Sequence, residues 1–238
     1  MSTTISLGSR PYREINAKIR ELIAEGEHDF VLEDVFGQRY LAGGLPAGNR
    51  LEIHGTPGND MSSYMDGAEV EVFGNGQDQI GNTMNGGLVV IHGHCGDAAG
   101  YAMRGGEIFV RDYVGWRIGI HMKEYREQRP SIVIGGDAGA FLGEYMAGGV
   151  VVLLGRPGRY LGSGMHGGVM YIRDGIDEDE VSPGLVQEAC SAEDLETIRG
   201  YLDRYNAFFD MNVSVDDELF TKVRPKSSRP YATMYVKD

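Results

Sequence analysis

Apolar residues recur along this chain at a long fixed interval, well beyond the three or four residues of a helix or the two of a strand. Methionines 65, 84, 103 and 122 are spaced by nineteen residues each, and Met146 and Met165 repeat that step after one interval of twenty-four. Five of the six open a similar tetrapeptide, such as Met84-Asn-Gly-Gly, Met103-Arg-Gly-Gly, Met146-Ala-Gly-Gly and Met165-His-Gly-Gly, and only Met122 departs from it. Three residues before each Met stands a small residue: Ser62, Gly81, Gly100, Gly119, Gly143 or Gly162. One position earlier comes an apolar one: Met61, Ile80, Ala99, Ile118, Leu142 or Leu161. Small residues mark corners and apolar residues mark the inside. Beyond the Met, pairs such as Val70/Val72, Val89/Ile91, Ile108/Val110, Val151/Leu153 and Met170/Ile172 have the i, i+2 spacing that points both side chains to one face of a strand.

The longer interval fits the same frame. Removing five residues from the Lys123 to Pro130 region brings Ile132/Ile134 into register, so that segment reads as a loop inserted in one coil. Leu51/Ile53, nineteen residues before Val70/Val72, supply a seventh strand. A nineteen-residue period leaves no room for a crossover helix, and a hairpin meander would not return every strand in the same phase. Stacked coils remain, with Met, Ile/Val and glycine ladders about 4.8 Å apart. The pattern predicts a mainly β protein: a right-handed parallel β-helix of about seven coils, flanked by N- and C-terminal helices.

Helical spacing of Ile15, Ile19, Leu22 and Ile23 predicts a helix over Tyr12 to Ala24, ending near Gly26. Ser191 and Asp194 resemble a capping box ahead of an apolar stripe of Leu195, Ile198, Leu202 and Tyr205. Both helices are expected to cover open ends of the coil, whose strand edges need closing. The chain then divides into a helix and cap over 1–50, the coil over 51–175, and a helix with an extended tail over 176–238. The acidic run Asp177 to Glu180 reads as a solvated turn.

Composition sharpens the picture. Thirty-six glycines with only 8 prolines fit many tight turns and neither collagen nor a disordered linker. A net charge of −13 argues against nucleic acid and anionic membranes as partners. Met1 to Arg10 has no apolar run, which places the expected location in the cytoplasm. Two cysteines, Cys95 and Cys190, make no disulfide framework and lack cluster spacing.

Candidate chemistry is sparse. His92-Gly-His94-Cys95 is the one metal-like grouping, and it sits within an ordinary repeat unit; an independent metal enzyme would have to use His92, His94 and Asp97. Gly162-Ser-Gly164-Met-His166-Gly-Gly168 looks like a nucleotide loop but is the repeat itself with no helix behind it. Asp78, Asp97 and Asp137 suggest the turns of calcium-binding β-rolls, whose nine-residue period is absent. The basic tail carrying Arg224, Lys226 and Arg229 reads either as an extended arm on its own domain or as a contact with another subunit. It and the insertion carrying Lys123, Tyr125 and Arg126 break the local pattern without serving the coil, and are the expected contact surfaces.

The units Gly139-Ala-Phe-Leu-Gly-Glu-Tyr-Met146-Ala-Gly-Gly and Gly158-Arg-Tyr-Leu-Gly-Ser-Gly-Met165-His-Gly-Gly resemble the C-terminal β-helix domain of the glutamate synthase large subunit, over about Leu51 to Asp174. The β-helix subunit of formylmethanofuran dehydrogenase shares the glycine pattern. The flanking helices and the tail Phe220 to Tyr231 are more similar to the stand-alone subunits of archaeal-type glutamate synthases and of N-methylglutamate synthase. The resemblance implies a chain without catalytic, cofactor-binding or metal-binding residues of its own. It would serve a hetero-oligomer in which an amidotransferase-like subunit and an FMN-dependent, iron–sulfur-bearing synthase subunit perform the reaction. The alternative is the same scaffolding role in a formylmethanofuran dehydrogenase.

Overall fold

A computed structural model of the chain describes residues 2–173, 175–177, 181–215 and 220–228. One 11-stranded sheet runs the length of the molecule. Its parallel part comprises β1 (Thr3–Ser6), β2 (Asp29–Phe36), β3 (Arg50–Thr56), β4 (Asp66–Phe73), β5 (Gly86–Ile91), β6 (Glu107–Val110), β7 (Ser131–Ile134), β8 (Ala147–Leu153) and β9 (Gly167–Arg173). Helix α1 (Tyr12–Ala24) lies between β1 and β2, and α2 (Ala192–Phe209) lies between β10 (Leu185–Ala189) and β11 (Phe220–Pro225).

The strand registers follow the sequence period. Leu51 pairs with Val70, Val70 with Val89, Val89 with Ile108, Ile108 with Ile132, Ile132 with Val151 and Val151 with Met170. All six ladder methionines and the apolar column from Met61 to Leu161 are buried in one continuous core. Each unit is therefore one turn of a parallel β-helix. The coil carries one strand more than the seven expected: β2 stacks on β3, with Phe30 against Leu51 and Leu32 against Ile53. Leu45 occupies the Met position ahead of β3 and is buried there. Eight stacked strands, β2 to β9, span about 34 Å at about 4.8 Å per step.

The corners explain the small residues. In each turn three alternate residues take left-handed backbone conformations, as at Gln79, Gly81 and Thr83 or Ala98, Gly100 and Ala102. Their amides alternate in direction. Gln79 and Thr83 donate to Asp97 and Tyr101 in the next turn, while Gly81 donates to Met61 in the previous one, so the coils stay hydrogen-bonded where they are not β. The middle residue faces the interior: a Cβ on Gly100 would lie 2.5 Å from Ile132 Cδ1. Ser62 occupies this column with φ 59 and a buried hydroxyl that has no partner among the described residues. Ser62→Gly should therefore raise stability by about 1 kcal/mol, because it relieves left-handed strain and removes an unsatisfied polar group. A higher melting temperature checks it, and a lower one rejects this account of the column.

Helix α1 closes the N-terminal end as expected. Ile15 and Ile19 join the interior core, Asn16 Nδ2 donates to Tyr40 O at 2.8 Å, and Arg20 donates to Gly43 O at 3.1 Å. Helix α2 does not close the other end. It lies across the outer face of the sheet, where Ile198, Leu202, Tyr205 and Phe209 pack against Val90, Phe109, Val133, Val152 and Tyr171. Arg204 pairs with Glu107, and Tyr205 Oη donates to Arg111 O at 2.9 Å. The C-terminal edge is closed instead by β11, antiparallel to β9, with β10 beyond it, while Leu185 and Val223 plug the interior. Glu178 to Glu180, most of the expected acidic turn, lie outside the described residues. No helix among the described residues is long and apolar enough to cross a membrane.

Candidate functional site

The chemistry-bearing side chains of the repeat are committed to the coil. Asp78 Oδ1 accepts the Asp97 amide at 2.9 Å, Asp97 Oδ1 accepts the Trp116 amide at 2.8 Å, and Asp137 Oδ1 accepts the Arg156 amide at 2.8 Å. These aspartates thus satisfy backbone donors one turn along the coil, rather than converging on an ion. His92 pairs with Glu71 Oε1 at 3.0 Å and stacks on Phe73, which in turn stacks on His54. His94 stacks on Tyr113, 4.7 Å between ring centres. Among the described residues no group of three or more His, Cys, Asp or Glu is placed to hold a metal ion. His92, His94 and Asp97 are not brought together as one site.

Cys95 is buried and its Sγ lies 3.4 Å from Gln77 O. Burial pushes its thiol up to about 12, so the thiolate is suppressed at neutral pH. Cys190 is half-buried and its thiol is also raised, first by burial and then by Asp194. Alkylation of the native chain at pH 8 should leave Cys95 unmodified until denaturant is added. Mass spectrometry after digestion reads this out, and native labelling of Cys95 would contradict the packing at that corner.

The expected contact segments are placed as follows. In the insertion, Tyr125 and Gln128 form a short antiparallel bridge, Tyr125 is 51% exposed, and the Arg126 guanidinium lies over its ring at 5.1 Å. Lys123 is exposed, and its amide continues the coil by donating to Met103 O. Glu124 anchors the base by accepting the Gly149 amide at 3.0 Å and pairing with Arg129. In the tail, Arg224 forms a fork on Glu188 at 2.7 and 3.0 Å, and Lys226 Nζ donates to Pro183 O. That fork lowers the Glu188 carboxyl. Arg229 lies outside the described residues.

One polar centre escaped the sequence reading. Asp194 is nearly buried and accepts the amide of Ser191, the N-cap of α2, at 2.9 Å; it also accepts from Tyr171 Oη on β9 at 2.7 Å and from Lys222 Nζ on β11 at 2.8 Å. Its burial would raise the carboxyl, but Lys222, Tyr171 and Ser191 outweigh that and hold it well below the usual carboxylate range. The capping box was visible in sequence; the two distant donors were not.

Comparison with known proteins adds to this geometry. A relative in Methanocaldococcus jannaschii, itself described as an uncharacterized protein, is 41% identical over 244 residues, covering 95% of this chain and 94% of its own length. The GXGXG motif family matches residues 29–225, a span that starts at β2 and ends with β11. The chain therefore belongs to the GXGXG motif family, the type of domain found at the C-terminus of the glutamate synthase large subunit.

Proposed function

We propose that this chain is a non-catalytic scaffold of a glutamate-synthase-type complex, cytoplasmic and hetero-oligomeric. It holds an amidotransferase-like subunit against a second one that bears FMN and an iron–sulfur centre. The observation behind this reading is the commitment of the coil's side chains. The inward ones fill a single ladder core, and His92, Asp78, Asp97 and Asp137 each serve a neighbouring turn. What the coil offers to other molecules is a stiff rod about 34 Å long with several distinct faces. Family membership supports the same reading, because the GXGXG domain type is associated with glutamate-synthase-type oxidoreductase complexes.

Co-purification from the native source tests it. Recovery of a flavin protein together with an amidotransferase-like chain is the expected result. Recovery of a molybdenum or tungsten subunit would replace it with the formylmethanofuran dehydrogenase reading, and flavin bound to the isolated chain would overturn the scaffold role. A narrower test concerns the insertion. Excising Tyr125–Arg129 restores a nineteen-residue interval between Met122 and Met146, so folding should persist while assembly weakens. Unchanged complex formation, measured by size-exclusion chromatography, would show that the insertion makes no contact.

A further inference from the structure

The outward residues of the corner just before each ladder Met differ between the two halves of the rod. In the Met65 and Met84 turns they are mostly polar, Asn59, Asp60, Asp78, Gln79 and Asn82, with one exposed ring, Tyr64, directly ahead of Met65. These polar groups are largely used internally: Asp60 Oδ1 accepts from Asn82 Nδ2 at 2.9 Å, and Asn59 and Asp78 accept amides of the next turn. In the Met122, Met146 and Met165 turns the same corner presents Trp116, Arg117, Phe141, Tyr145, Arg159 and Tyr160.

Those rings form columns along the coil axis. Arg117 lies over Phe141 at 4.9 Å, and Phe141 stacks on Tyr160 at 4.8 Å. Alongside them His121 stacks on Tyr145 at 5.3 Å, and this second column leads to the insertion that begins at Lys123. Trp116 and Tyr160 are each 55% exposed. Phe141, Tyr145 and Tyr160 are left-handed, with φ of 65, 52 and 63, whereas Gly164 stands in the Tyr145 column one turn later. A bulky side chain in this conformation costs roughly 1–2 kcal/mol relative to glycine, and exposed rings recover little of it by burial.

Charge marks the same region. Between residues 111 and 160, seven Lys or Arg stand against five Asp or Glu, in a chain with 22 against 35. Glu144 pairs with Arg117 and Glu124 with Arg129. Arg156 and Arg159 are exposed and make no side-chain bond to the described residues. Exposed rings next to unpaired guanidinium groups are the chemistry of a protein interface, since Trp, Tyr and Arg dominate binding energy at such surfaces.

We propose that this face docks an acidic surface of one partner subunit. Carboxylates of the partner meet Arg156 and Arg159, and flat apolar or aromatic groups pack on Trp116, Phe141 and Tyr160. The proposal rests on the scaffold reading above and names where one partner binds. An acidic occupant follows from complementarity, because the rest of the chain is acidic and would repel it elsewhere.

The test titrates the intact chain with the purified FMN-dependent subunit and, separately, with the amidotransferase-like subunit, by calorimetry. Three variants are compared with the unmodified chain: Arg156→Glu/Arg159→Glu, Trp116→Ala/Tyr160→Ala, and the control Arg13→Glu/Lys18→Glu on α1. Both face variants should weaken binding to one subunit about 100-fold, with the control unchanged and the unmodified affinity falling as NaCl is raised. Melting curves confirm that each variant is folded. If the unmodified chain binds and the face variants bind equally well, this face is not the dock and the scaffold reading survives on another surface. The same conclusion follows if the α1 control weakens binding as much. If the unmodified chain binds neither subunit, both the docking face and the scaffold reading fall.

Discussion

Gly87→Ala is expected to cost the chain about 4–6 kcal/mol, and with it most of the soluble, folded yield. Gly87 is the second residue of β5 and has φ 100, beyond the left-handed well that an L residue can enter. A Cβ there would overlap the carbonyl oxygen of Ala68 and lie 2.9 Å from Ala68 N. Both atoms belong to the backbone of the adjacent turn, so no side-chain rotation relieves the clash. That turn is itself fixed, because Val70, two residues on, pairs with Leu51 on one side and Val89 on the other. Strain of about 2–3 kcal/mol and overpacking of about 2–3 kcal/mol, both at the upper end of their usual ranges because the overlapped atoms are backbone, then add. Against a stability of about 5–15 kcal/mol for a folded domain, the loss is severe. At about 2–4 °C per kcal/mol, the melting temperature should fall by roughly 10 °C or more. Gly200→Ala is the matched control. Gly200 lies within α2 with nothing near its virtual Cβ, so alanine there should stabilise by about 0.5–1 kcal/mol. A Gly87→Ala chain melting within about 2 °C of the unmodified one would mean that the turns are not stacked this closely.

That contrast shows what periodicity can and cannot reveal. The ladder pairs from Leu51/Ile53 to Met170/Ile172 are legible because each turn repeats the same chemistry at the same phase, and the observed registers coincide with them. The limits of α1 and the Ser191/Asp194 box are local signals and are equally legible. Strand β2 escaped because Phe30/Leu32 precede Leu51/Ile53 by twenty-one residues rather than nineteen, and its pairing with β3 shifts register between Leu32 and Val35. The hairpin-like pair β10 and β11 escaped because α2 separates the two strands and neither carries the repeat.

The position of α2 escaped for a different reason. Its apolar stripe shows that one face is buried, not what buries it. The missing half of the signal lies in the strands. Leu51-Glu52-Ile53 and Val70-Glu71-Val72 alternate as strands with a wet outer face do, whereas Val89-Val90-Ile91, Ile108-Phe109-Val110, Ile132-Val133-Ile134 and Val151-Val152-Leu153 are apolar on both faces. Glu71 gives way to Val90 in the outward column where the helix begins to cover it, and Phe209 at the end of α2 meets His92 edge-on at 5.2 Å. The candidate contact segments were less legible than the fold. The insertion and tail stand out as breaks in a pattern, while the aromatic corner is part of the pattern and becomes visible only when its turns are stacked.

Asp194→Ala is expected to be the second most damaging substitution, at about 4 kcal/mol. One nearly buried carboxylate joins three elements: it accepts from the Ser191 amide and hydroxyl at the start of α2, accepts from Tyr171 on β9, and pairs with Lys222 on β11. Its removal opens one side of the capping box, leaving the Ser191 amide, a half-buried ammonium and a buried phenol without their acceptor, while Ser191 still caps the amide of residue 194. Breaking a buried pair from one side typically costs about 3–5 kcal/mol. Tyr171 is a reliable donor here, because burial, followed by its bond to Asp194, raises the phenol and keeps it protonated. The pH dependence has a definite sign. The folded carboxyl is held below its unfolded value of about 3.9, so the native state is favoured by the ionised form; that contribution is complete above about pH 5 and declines as pH falls below about 4. The stability gap between the unmodified chain and Asp194→Asn should therefore be constant from pH 8 to pH 5 and shrink at pH 3, as read by urea unfolding. Loss of this tie frees β11 from the outermost parallel strand, β9, so the variant should also expose an unpaired edge and aggregate as it unfolds. A gap that stays constant down to pH 3 would show that Lys222 and Tyr171 do not hold Asp194 ionised, and that the C-terminal edge is closed by packing alone.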